Sequence, residues 1–100
     1  MYLIIWEYRV KADRVNDFER VYNPGGAWAE LFKKSRGYLG TELLRDEENL
    51  QRCVTIDRWD TKEDYESFLS QWEKEYKALD AQCEGLTESE SCLGKWVSAR

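Results

Sequence analysis

Asp57 lies in an alternating stretch, Cys53 to Trp59. Cys53, Thr55, Asp57 and Trp59 point one way there, and Val54, Ile56 and Arg58 the other. Tyr65 follows six residues after Trp59. A carboxylate, a hydroxyl, an indole N–H and a phenol can together remove a proton and hold the anion left behind. A second carboxylate, Glu7, sits inside an apolar N-terminal run. Either acid becomes a base near neutral pH if desolvation raises its pKa. The chain has no histidine. That removes a Ser-His-Asp triad, a Cys-His pair, histidine-ligated zinc and histidine-ligated haem together. Cys53, Cys83 and Cys92 are odd in number and match no metal-binding spacing, so no metal is expected and they read as small apolar residues.

These residues need a frame. Gly37 to Tyr65 reads as strand, hairpin, strand and helix start. Tyr38 to Arg45 is rich in β-formers, Asp46 to Asn49 is a polar tip, and Thr61 with Asp64 makes a helix-opening box. Before it, Tyr2 to Val10 alternates as a strand with large apolar groups on both faces, which predicts a central strand. Asp13 is the expected cap of a helix carrying Val15, Phe18, Val21 and Tyr22. Asn23-Pro24-Gly25-Gly26 breaks it. A short helix with Trp28, Leu31 and Phe32 follows, stopped by Gly37, while Gly40 suits a bulge or close contact. Tyr65, Phe68, Leu69, Trp72, Tyr76 and Leu79 mark a long helix, kinked near Ser70 and ending near Gly85. Thr87 and Glu90 suggest one more helical turn, and Cys92 to Val97 a closing edge strand.

The order is β-α-β-β-α-β over a single domain, residues 1–100. With right-handed crossovers it gives an α+β, ferredoxin-like antiparallel sheet with the first and third strands central and the helices on one face. Tyr2, Ile4, Trp6, Tyr8, Val54 and Ile56 are then too many apolar groups for the open face, and a homodimer packed sheet to sheet is expected to cover them. The net charge of −5, from 15 basic and 20 acidic residues, argues against nucleic acid and anionic membranes. The N-terminus carries Glu7 and Arg9 and reads as a strand rather than a leader, so a cytoplasmic location is the expectation.

GYLGTELL after the first helices, the stretch Thr55 to Tyr65 and the element order resemble the antibiotic biosynthesis monooxygenase family, of the dimeric α+β-barrel superfamily. The resemblance covers nearly the whole chain. The family's cofactor-free polyketide oxygenases are similar in having Asn, then Trp four residues later, then Tyr six further on. Trp59 and Tyr65 match; Thr55 stands at the Asn position and Leu79 at that of an active-site Arg. The haem-degrading branch uses a helix histidine, which this chain lacks.

The resemblance implies a cofactor-independent oxygenase acting on a small apolar aromatic or polyketide-like compound. It also implies that Trp59 faces the pocket, with Thr55 and Asp57 beside it. Leu3, Ile5 and Glu7 would come from the first strand, because the family's strand-one Asn falls at Glu7. Asp57 and Glu7 would then be neighbours, one of them the base, with Trp59, Tyr65 and Thr55 as donors. Trp28, Phe32, Phe68 and Trp72, core residues by their spacing, are candidates for the walls. The same pocket also suits a proton-shifting isomerase or cyclase, or a non-catalytic dimer that binds a small ligand.

Overall fold

The computed structural model describes residues 1–99. The elements are β1 (Tyr2–Val10), α1 (Val15–Tyr22), α2 (Ala27–Phe32), β2 (Tyr38–Arg45), β3 (Arg52–Trp59), α3 (Lys62–Gln71), α4 (Glu73–Cys83), a 3-10 turn (Glu84–Leu86) and β4 (Thr87–Val97). The strands lie in the order β2-β3-β1-β4, each antiparallel to its neighbours. This is the expected α+β, ferredoxin-like sheet. Among the described residues no helix is long and apolar enough to cross a membrane.

The register settles which face is which. Tyr2, Ile4, Trp6 and Tyr8 stand opposite Trp59, Asp57, Thr55 and Cys53. Residues paired across a ladder share a face, so these eight point together. They point at the helices: Tyr2, Ile4 and Tyr8 are buried in clusters with Phe18, Tyr22, Phe32 and Phe68. The expectation that Tyr2, Ile4, Trp6 and Tyr8 form a dimer face with Val54 and Ile56 is therefore wrong. Val54 and Ile56 belong to the opposite face, with Leu3, Ile5 and Glu7. The bulky rings of β1 fill the space under the helices, whereas Leu3, Ile5, Val54 and Ile56 on the outer face are aliphatic.

The core has two clusters. One joins Tyr8, Val10, Phe18, Tyr22, Cys53, Cys83 and Leu86; the other joins Tyr2, Ile4, Leu31, Phe32, Trp59 and Phe68. Trp6, Trp28 and Leu79 touch both. Trp59 is fully buried, with Phe32, Tyr38, Tyr65 and Phe68 rings 5.3–5.5 Å from it. Cys53 and Cys83 are buried thiols as expected; Cys92 is exposed.

Several local expectations shift. Arg14, not Asp13, precedes α1, and its guanidinium bonds Asp17 at 2.9 Å. Thr61 does cap α3, accepting from the Asp64 N–H at 3.1 Å. The kink falls at Trp72, between α3 and α4. Thr87 to Glu90 is strand, not helix: β1 offers it a backbone ladder, with Glu90 opposite Tyr8, and that pairing overrides the local capping signal. Gly37 does not stop α2, which ends at Phe32. It is glycine because a Cβ there would meet the Asp64 side chain at 2.3 Å. Gly40, at φ +135°, is a bulge as expected: Tyr38 pairs with Trp59 and Gly40 with Arg58, leaving Leu39 as the extra residue. Strict alternation would put Tyr38 and Thr41 on opposite faces. The bulge turns both toward the helices.

Candidate active site

A cavity of about 120 Å³ opens between the sheet and the helices, where the two core clusters meet. β1 supplies Ile4, Trp6 and Tyr8 to its walls, and β3 supplies Thr55 and Asp57. Thr41 enters from β2 and Glu90 from β4. The helices close it with Tyr22, Trp28, Phe32, Tyr65, Tyr76 and Asp80. An empty apolar cavity of about 150 Å³ takes up benzene, so this space has room for about one aromatic ring.

Asp57 is the chemical centre. It is only 9% exposed. The Thr41 hydroxyl donates to its Oδ1 at 2.7 Å, and no other hydrogen bond to its side chain is found among the described residues. Burial pushes the carboxyl up to about 6, with the Thr41 bond pulling the other way. Because Thr41 gives its proton to ionised Asp57, its oxygen accepts from the Tyr38 hydroxyl, 2.5 Å away. Tyr38, Thr41 and Asp57 thus form a hydrogen-bonded chain whose donors all point toward the carboxylate.

The phenols are donors at neutral pH. Burial raises Tyr8, whose hydroxyl lies 3.2 Å from that of Thr55, and also raises Tyr65. Tyr76 is pushed up to about 12, first by burial and then by the charge of Asp80. Trp28 Nε1 is buried with no hydrogen-bond partner. Among the described residues no group of three or more His, Cys, Asp or Glu could hold a metal ion.

Of the expected site residues, Asp57, Thr55, Tyr65, Trp28 and Phe32 reach the cavity wall. Glu7 does not. It pairs across from Val54 on the outer face, where its carboxylate accepts from Arg52 at 3.0 Å, so the pairing of Glu7 with Asp57 is corrected. Ile4 is the residue beside Asp57 on β1. Trp59 and Phe68 lie behind the wall in the core, Trp59 holding the Tyr65 ring edge-on at 5.3 Å. Trp59 Nε1 is buried without a partner. Trp72 is at the α3–α4 junction, with Lys34 Nζ 4.9 Å from its ring centroid. Sequence reasoning did not assign Tyr8, Thr41, Tyr76, Asp80 and Glu90 to the site. Tyr76 and Asp80 are one helical turn apart, a spacing that could have flagged them; Thr41 depends on the bulge.

The fold recurs among solved structures. A Deinococcus radiodurans protein named for the antibiotic biosynthesis monooxygenases aligns with a TM-score of 0.77 at 13% identity, covering 100% of this chain and 94% of that one. SnoaB, a cofactor-independent oxygenase from Streptomyces nogalater, aligns at 0.72 with 20% identity over 99% of this chain and 93% of its own. A Bordetella bronchiseptica protein of the same naming aligns at 0.71 with 24% identity, covering 99% and 97%. No curated protein sequence matches the chain. The family model described as antibiotic biosynthesis monooxygenase matches residues 1–81, more than half of the chain, and the chain belongs to that family.

Proposed function

We propose that the protein is a cofactor-independent monooxygenase acting on a one-ring hydroxylated aromatic, with Asp57 as the base. The observation that carries this is the Asp57 carboxylate: buried, raised toward neutral pH, and with one oxygen free of hydrogen bonds in an aromatic cavity. Asp57 takes the phenolic proton, and Thr41, itself held by the Tyr38 hydroxyl, orients the carboxylate. The Tyr65 hydroxyl is the available donor to the anion. A substrate that supplies its own electrons suits the reaction. A hydroquinone with one O2 gives a hydroxyquinone and one water, so the ring is oxidised by four electrons and oxygen is reduced by four. SnoaB, of the same fold, is a cofactor-independent oxygenase.

The test is oxygen uptake with dihydroxybenzenes beside larger anthrones, in the parent and in Asp57→Asn. Uptake by the parent on the one-ring compounds, falling roughly 10²-fold or more in the variant, is expected of a lost general base. Turnover that ignores oxygen would replace this reading with proton-transfer chemistry. Binding without turnover would make the protein a ligand-binding member of the family.

The protein is further proposed to be a homodimer joined through the outer sheet face. Leu3, Ile5, Val54 and Ile56 form a half-buried apolar stripe there, flanked by exposed Leu44 and Trp96.

A further inference from the structure

The charges around the cavity are one-sided. Asp57 lies deep, and Asp80 and Glu90, both exposed, stand at the rim; among the described residues the lining includes no Lys or Arg. Lys95, exposed on β4, places its Nζ 5.8 Å from the Tyr65 ring centroid but is not part of the wall. A ring anion formed at Asp57 would face the two rim carboxylates with no cation of the described lining to balance it.

The positions of the rim acids are fixed by the fold. Asp80 is one helical turn beyond Tyr76 on α4, so the two share a face. Glu90 is the β4 partner of Tyr8 on β1. Each rim carboxylate thus stands beside an aromatic ring of the wall, and Trp6, Tyr22 and Trp28 continue that wall inward. Aromatic faces and carboxylates both attract a cation, and together they disfavour an anion.

We infer that the ligand is an aromatic amine in its protonated form, its ring in the cavity and its ammonium between Asp80 and Glu90 against Tyr76. The amine compensates the rim acids, and once the phenol is deprotonated the ligand becomes a zwitterion instead of a bare anion. This rests on the proposed function only for the role of Asp57; recognition of the ammonium stands apart from it.

The experiment compares three ligands of one shape by calorimetry on the intact protein: tyramine, 4-ethylphenol and 4-hydroxyphenylacetate. Tyramine is expected to bind about tenfold or more tighter than 4-ethylphenol, roughly the effect of one desolvated cation–π contact. The carboxylate is expected to bind weakest. In the Asp80→Asn, Glu90→Gln variant the tyramine-to-ethylphenol ratio should fall several-fold, leaving what the Tyr76 ring alone contributes; its melting curve checks the fold. Equal binding of tyramine and 4-ethylphenol, no binding of any of them, or a ratio that survives the double variant would overturn the inference. Oxygen uptake with dopamine and 4-ethylcatechol separates the two readings. Turnover of both without preference leaves the oxygenase and removes the cation site. A cation preference in binding without oxygen uptake keeps the site and removes the oxygenase.

Discussion

Thr41 stands directly across from Asp57 in the β2–β3 ladder and donates its hydroxyl proton to the carboxylate at 2.7 Å. That bond favours the ionised form, while burial favours the neutral one. The cavity base is set by the balance of the two.

Thr41→Val removes the only counterweight to burial, so the Asp57 midpoint should rise above its value of about 6. The acid limb of the pH–rate profile should move to higher pH, with Thr41→Ser restoring it. An unmoved limb would mean that Asp57 is not the group the profile reports.

Asp57 should also leave a mark on stability. Its folded pKa is raised from 3.8 to about 6. Well below pH 3.8 it is protonated in both states and contributes no difference. As the pH rises from 4 to 6 the unfolded chain ionises first, so the folded state loses about 3 kcal/mol by pH 7. Asp57→Asn lacks this loss. Its melting temperature relative to the parent should climb between pH 4 and pH 7, and parallel curves would refute the assignment.

Glu7 and Trp59 should separate in mutagenesis. Glu7→Gln removes a partner of exposed Arg52 and should leave turnover and melting temperature within error. Trp59→Ala empties the centre of the second cluster and should cost about 3–5 kcal/mol of stability in denaturant unfolding.

The two sheet faces predict opposite outcomes in sedimentation. Ile5→Asp, on the outer face, should give a folded monomer. Tyr8→Phe, under the helices, should leave the dimer intact and lose only the hydroxyl contact with Thr55. A parent that sediments as a monomer would remove the proposed interface.

The element order, the central place of β1 and β3, the Thr61 cap and the alternation around Asp57 could all be read from the sequence. They depend on period and on local chemistry. The pairing of β1 faces with β3 faces could not, because both faces of β1 are apolar and either alignment satisfies its alternation. The family resemblance alone points Glu7 at the pocket, and the alternation of β1 does not test it. Thr41 was missed because a bulge shifts the period by one, and Glu90 because its strand is polar and is held by backbone pairing with β1.

β2 is an edge strand of the sheet, and its outward backbone groups are open to another chain. A regular edge of eight residues invites edge-to-edge stacking between molecules. Leu39, exposed and unpaired at the Gly40 bulge, bends that edge and spoils the register for a newcomer. Deleting Leu39 would keep Thr41 opposite Asp57 and straighten the strand. The chemistry should survive such a deletion while solubility falls, so Leu39 guards the molecule against aggregation without being needed to align the base.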